Sequence, residues 1–255
     1  MSKSPVTKST VEEIRRRFDG DVERFSDLAV GQQAAPDSPL CMDLVTEAAA
    51  AVTPHARTVL DVGCGAGNYA LKLLQRLPGL DVTLLDLSRP MLDRAVQRVS
   101  AAGAGTPATV TAVQADVREA ASDPGSFDPG SFDIILAAAT LHHLRDQDQW
   151  RSVFAAFYRW LRPGGSLWVV DLVEQATPEL EALTRRRYGD YLTTLGGEAY
   201  REAVLAYVDK EDTPRPLVWQ LRRLEEAGFT DVDVLHKRLC MAAFGGRRRH
   251  EGTKG

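Results

Sequence analysis

The chain has 255 residues, 44% of them hydrophobic, with 31 basic and 35 acidic side chains and a formal net charge of −4. That is enough apolar material for a well-buried core in one generous domain, and the charge balance carries no global electrostatic footprint for nucleic acid or an anionic membrane. Cys41, Cys64 and Cys240 are odd in number, far apart and outside any CxxC or His pairing, so neither a disulfide framework nor a metal site is expected and a cytoplasmic location is. Met1 to Thr10 is polar and no eighteen apolar residues run together, so neither a secretion signal nor a membrane span is expected.

Val11 to Arg17, followed by Phe18-Asp19-Gly20, reads as a short charged helix stopped by glycine, and Leu40 to Val52 as a second helix ended before Pro54. Strands and helices then alternate. Thr58 to Val62 is short and apolar, as a doubly buried strand is, and Tyr69 to Leu77 places Leu71, Leu74 and Leu77 at helical spacing. Val82 to Leu85 is a second strand. Ser88 as N-cap, Pro90 in the first turn and Met91, Leu92, Ala95, Val96 and Val99 on one face mark the next helix. Thr109 to Val113, Phe132 to Ala137 and Ser166 to Leu172 supply three more strands, with a helix at Trp150 to Leu161, and this alternation predicts a doubly wound α/β fold.

Asp123-Pro124-Gly125-Ser126-Phe127 is repeated as Asp128-Pro129-Gly130-Ser131-Phe132, and the duplication reads as a silent insertion in a surface loop. Pro178 to Leu192 and Glu198 to Val208 are helical with no strand between them, and predict a lid over the sheet's ligand edge. Pro216 to Ala227 is a further helix, and Phe229 to Gly245 holds two β-rich runs around Lys237-Arg238, joined too tightly for a crossover and so antiparallel. The expected organisation is one domain over 1–255. It comprises an N-terminal helical segment 11–53, a core 57–173, a helical insert 177–209, a C-terminal helix and hairpin 214–245, and a flexible tail 246–255 containing the basic run Arg247-Arg248-Arg249-His250.

Asp61-Val62-Gly63-Cys64-Gly65-Ala66-Gly67-Asn68 joins the first strand to a helix through a glycine-rich turn, where backbone N–H groups can approach a ligand at a helix start. A dinucleotide fingerprint places its third glycine three positions after the second, whereas here the glycines are evenly spaced. Asp61 before the first glycine suits a cationic ligand better than a pyrophosphate. Asp86, closing the second strand, can accept from ribose hydroxyls in either chemistry.

With Ala115-Asp116-Val117 after the third strand, Leu141-His142-His143-Leu144 after the fourth and Leu161-Arg162-Pro163-Gly164-Gly165 before the fifth, the chain from about Val11 to Gly245 resembles the class I S-adenosylmethionine-dependent methyltransferase family. The resemblance implies a Rossmann-like, seven-stranded, mostly parallel sheet with an antiparallel last strand, and S-adenosylmethionine as cofactor. It assigns the methionine portion to the turn, the ribose to Asp86 and the adenine amino group to Asp116, with Leu87 and Val117 sandwiching the adenine. The implied cofactor set is Asp61, Gly63, Cys64, Gly65, Gly67, Asp86, Leu87, Asp116, Val117 and Ala138.

Methyl transfer from a sulfonium is chiefly a matter of positioning, and a base is needed only where the acceptor must lose a proton. His142 and His143, beside the expected methyl position, read either as that base or as pocket wall. Phe18, Tyr188, Tyr191, Tyr200 and Arg201 are lid candidates for a small-molecule acceptor. The insert is similar to that of carboxy-S-adenosylmethionine synthases of tRNA wobble modification, in which an arginine at the place of Arg201 crosses a dimer interface to a carboxylate. A homodimer would follow from that likeness. The glycine-rich turn and Ala138, where those synthases have an asparagine, favour methyl transfer, and Arg201 reads equally as a surface ion pair with Glu198 or Glu202. A non-catalytic S-adenosylmethionine-binding protein is the third reading.

Overall fold

The computed structural model of the chain describes residues 7–27, 33–102 and 109–249. Helices α1 (Val11–Gly20), α2 (Val22–Ser26) and α3 (Ser38–Val52) precede the sheet. Thr10 starts α1 with a reciprocal capping box to Glu13, which satisfies two of the donors a helix start leaves open. Then come β1 (Thr58–Val62), α4 (Asn68–Leu74), β2 (Asp81–Asp86), α5 (Arg89–Ala102), β3 (Val110–Gln114), α6 (Val117–Ser122) and β4 (Phe132–Ala138). A single 3-10 turn (Leu141–His143), α7 (Gln147–Trp160), β5 (Leu161–Glu174), α8 (Pro178–Glu211), the two-residue β6 (Arg215–Pro216), α9 (Leu217–Ala227), β7 (Phe229–Arg238) and β8 (Met241–Arg248) complete it.

The sheet runs β3-β2-β1-β4-β5-β8-β7, with β6 pairing to β5 off this path. Its first five strands are parallel neighbours and β8 runs antiparallel to both β5 and β7. The fold is the α/β class expected, a doubly wound and mostly parallel sheet whose last strand is antiparallel. The two faces are covered by separate cores. One is built from α3, α4 and α5 (Met42, Val45, Leu73, Leu92, Val99) and the other from α6, α7 and α9 (Val117, Trp150, Phe154, Phe157, Leu224), all buried. Burial on both faces explains why the central strands read as continuous apolar runs. No helix of the described residues is long and apolar enough to cross a membrane.

Gly196 and Gly197 leave helical geometry inside α8, so the insert is two helices meeting at a kink, as their separate patterns predict. Two local readings are corrected. The hairpin turns at Leu239-Cys240, two residues beyond Lys237-Arg238, with Leu239 in the left-handed region. The sequence from 246 is no flexible tail up to Arg248: β8 includes Arg247 and Arg248, because the Arg248 guanidinium donates to the carbonyls of Tyr158 (3.0 Å), Arg159 (3.2 Å) and Leu161 (2.7 Å), fastening the strand to the end of α7. His250 to Gly255 lie outside the described residues. In the duplicated loop, Phe127 sets its ring edge against Phe132 at 5.3 Å and Trp160 at 5.0 Å.

Candidate active site

In a doubly wound sheet, ligands bind outside the carboxyl ends of the strands where the strand order reverses, which here is between β1 and β4. A cavity of about 520 Å³ opens there. The turn after β1 forms its floor: Gly63 and Cys64 both donate to the Leu85 carbonyl (2.7 and 3.1 Å), and Gly67 closes on the Cys64 carbonyl (2.8 Å). Gly65 has φ +50° and a Cβ there would meet nothing within 4 Å, so its face is open for a ligand. Gly67, at φ +79°, turns inward instead; a Cβ would stand 3.1 Å from Val99 Cγ2 and 3.3 Å from Ala95 Cβ, so this glycine lets α4 pack against α5.

Asp86 is buried at the cavity wall, accepting from the Gly65 N–H and the Ser88 N–H at 2.8 Å each. These bonds fix its orientation and leave each oxygen a second lone pair for a hydroxyl. Burial raises its pKa against the pull of those same bonds. Asp116 caps α6 through the Arg118 N–H (2.8 Å), and its carboxylate is gripped by the Arg118 guanidinium, a side chain that also lines the cavity. Leu87, Val117, Cys64 and Ala138 line the same space.

The far wall is made by residues after β4 and at the end of β5. Ala139 takes φ +52°, strained for a residue with a Cβ, and turns the chain into Thr140 and the histidine pair. His142 Nδ1 bonds to Asp171 Oδ1, while Asp171 Oδ2 accepts from the N–H groups of Thr140 (3.3 Å), Leu141 (2.6 Å) and His142 (3.3 Å). Asp212, just past α8, sets Oδ1 3.6 Å from His142 Nε2 and 3.7 Å from His143 Nδ1. Burial works to lower the His142 pKa, but Asp171 and Asp212 overcome it and hold it at about 9. His143, buried and beside His142, is pushed well below its ordinary value.

The opening is covered by α1, α2 and α8. Phe18, Phe25, Tyr188, Tyr200, Val204 and Tyr207 turn an apolar, aromatic surface to the cavity. Arg17 joins these elements, pairing with Glu211 at 2.7 Å and lying over the Phe18 and Tyr207 rings at 4.9 Å each.

Residues 59–165 match the family model described as a methyltransferase domain. The match covers less than half of the chain and falls on the stretch that carries the resemblance to class I S-adenosylmethionine-dependent methyltransferases. The chain is 35% identical over 154 residues to the tRNA 5-carboxymethoxyuridine methyltransferase of Escherichia coli K12, covering 60% of this chain and 54% of that one. The chain spans about half the length, or less, of the curated relatives it matches. The fold of the chain is shared with two solved structures. One is the N-methyltransferase NodS of Bradyrhizobium japonicum, in complex with S-adenosyl-L-homocysteine, with a TM-score of 0.60 at 16% identity, covering 92% of this chain and 97% of that one. The other is 1,6-didemethyltoxoflavin-N1-methyltransferase of Burkholderia thailandensis, with its acceptor and S-adenosylhomocysteine bound, with a TM-score of 0.59 at 17% identity, covering 97% and 93%.

Of the residues singled out in the sequence, Gly63, Cys64, Gly65, Asp86, Leu87, Asp116, Val117, Ala138, His142, His143, Phe18, Tyr188 and Tyr200 line the one cavity. Four do not. Asp61 sits behind the turn, 1% exposed, accepting from the Ala70 N–H (3.2 Å), with burial pushing its pKa up to about 7. Gly67 faces α5. Tyr191 stacks beside Tyr188 and donates to the Gln33 carbonyl (3.1 Å), and Arg201 pairs with Glu198 at 3.1 Å, the ion pair its sequence neighbours suggest. Sequence reasoning missed Thr140, Asp171, Asp212 and Arg118. Asp171 alone carried a signal, a carboxylate at the end of the apolar run Trp168-Val169-Val170.

Proposed function

We propose that the chain binds S-adenosylmethionine and transfers its methyl group to a small-molecule acceptor. The observation that carries this reading is that the open face of Gly65, the fixed carboxylate of Asp86 and the aromatic wall of the lid all border a single cavity of about 520 Å³. The residues fit the donor. Gly65 leaves room for the methionine end, Asp86 offers lone pairs to the ribose, and Leu87 and Val117 supply apolar faces for the adenine, with Asp116 beside them.

The sulfonium is already activated, so the chain's task is to hold donor and acceptor in line and keep water out; such orientation is worth about 7–11 kcal/mol of a barrier. Phe18, Phe25, Tyr188, Tyr200 and Tyr207 supply the dry wall. His143 stands on the acceptor side, where a proton leaving the acceptor would be received, whereas His142, held at about 9, already carries its proton. An apolar, aromatic enclosure suits a compact acceptor better than a nucleic acid. Cys41, Cys64 and Cys240 are free thiols, which suits a cytoplasmic location.

The carboxy-S-adenosylmethionine reading places a guanidinium on the ligand's extra carboxylate. Arg201 stands off its own cavity, so that reading depends on a second copy of the chain as a homodimer. Mass spectrometry of the small molecule retained by the purified protein tests the proposal: S-adenosylmethionine or S-adenosylhomocysteine is expected. Carboxy-S-adenosylmethionine, or a nicotinamide cofactor, would overturn it.

A further inference from the structure

We infer that His142, His143 and Asp212 form a binding site for a divalent transition-metal ion in the wall of the cavity. One ligand atom from each lies within 4.8 Å of the other two, and all three residues face the cavity. The Asp212 side chain is 1% exposed, and its Oδ1 has no hydrogen-bond partner among the described residues; the buried Nδ1 of His143 has none either. Two such atoms turned toward each other and toward His142 Nε2 are costly to bury unless something joins them.

The surroundings set the rings for ligation. His142 Nδ1 is engaged by Asp171, which turns Nε2 toward Asp212 and reproduces the carboxylate–histidine–metal arrangement that orients a ligating imidazole. His143 turns its Nδ1 toward the same Asp212 oxygen. Of the neighbouring cations, Arg145 bonds to the Glu211 carbonyl (2.6 Å) and Thr213 Oγ1 (2.9 Å), Lys8 to the Asp209 carbonyl (2.8 Å), and Arg17 pairs through Nη1 with the Glu211 carboxylate (2.7 Å).

The geometry is close to what an ion requires. Two ligand atoms about 2.1 Å from one ion stand about 3.4 Å apart at a tetrahedral angle. Asp212 Oδ1 is 3.6 Å from His142 Nε2 and 3.7 Å from His143 Nδ1, and all three ligand atoms lie within 4.8 Å of one another, so binding an ion would draw the two imidazoles toward each other. Two imidazoles and one carboxylate select zinc, cobalt or iron(II) over magnesium or calcium, and three protein ligands leave positions open. The open side is the cavity, where an anionic or ionisable oxygen of the acceptor would be the natural further ligand.

The test is titration of the chelator-treated chain with cobalt(II), a coloured stand-in for zinc. Expected are one cobalt(II) per chain with visible ligand-field absorption, displacement by zinc, and two solvent-exchangeable, hyperfine-shifted imidazole N–H signals by NMR, which identify two histidine ligands without any substitution. Asp212→Asn and His143→Gln, each confirmed folded by circular dichroism, are expected to abolish the absorption. Asp171→Asn is expected to weaken binding by about 10–100-fold. No uptake at 0.1 mM cobalt(II), uptake without the shifted N–H pair, or uptake unchanged in folded Asp212→Asn would overturn the site and leave His142 as an imidazolium clamped between two carboxylates.

Discussion

Replacing Gly65 and Gly67 separately by alanine distinguishes a glycine kept for a ligand from one kept for packing. Both have positive φ, +50° and +79°, so each alanine carries a left-handed penalty of about 1–2 kcal/mol. At Gly65 the added methyl meets nothing within 4 Å, so that penalty is the whole cost to the fold. At Gly67 it presses on Val99 Cγ2 at 3.1 Å and Ala95 Cβ at 3.3 Å, which adds an overpacking cost of about 1 kcal/mol or more. Urea unfolding is therefore expected to show Gly67→Ala as the more damaged variant by about 1 kcal/mol. Calorimetric titration with S-adenosylmethionine is expected to show the reverse order. Gly65→Ala should lose at least about tenfold in affinity, or about 1.4 kcal/mol, because its methyl enters the donor's space. Folded Gly67→Ala should stay within about threefold of the unmodified chain. Equal affinity for Gly65→Ala and the unmodified chain would refute the assignment of the turn to the donor.

Asp61 provides a pH test with a defined sign. Burial lifts its folded-state pKa from 3.8 to about 7, so the folded chain holds a proton that the unfolded chain releases, and stability is lost as pH rises from about 4 to 7. Each tenfold in proton affinity is worth about 1.4 kcal/mol, so the loss reaches about 4 kcal/mol. Asp61→Asn lacks this titration and should gain on the unmodified chain between pH 4 and 8 in urea unfolding; parallel curves would show that the carboxyl is charged throughout. Arg248→Ala is expected to destabilise by about 1–3 kcal/mol, since the three carbonyls it serves at the end of α7 lose a charged donor. A change below about 0.5 kcal/mol in the same assay would restore the loose-tail reading. Arg201→Ala, which removes only a half-exposed pair with Glu198, should leave S-adenosylmethionine affinity within about twofold, measured by calorimetry.

The strands along the chain and the donor-side wall were legible because their signals are local. Apolar runs such as Val59-Leu60 and Leu84-Leu85, the even glycines, and acidic residues at strand ends each follow from one stretch of chain. The acceptor side was not. Asp212 reaches His142 and His143 only because α8 folds back over the sheet, a contact seventy residues away in sequence that no spacing rule anticipates. Asp61 and Gly67 show the opposite failure, for they belong to the motif yet serve the fold: one accepts from the first turn of α4, and the other admits α5. Arg247 and Arg248 resemble a solvated tail because charge was weighed without knowledge of the carbonyls that end α7.

Calorimetric titration of the intact chain and of Asp86→Ala with S-adenosylmethionine tests the central claim most directly. One saturable site per chain is expected, with affinity falling by at least about tenfold when the Asp86 carboxylate is removed. No binding by the intact chain, or equal binding by the two, would contradict the account of this cavity as the donor site.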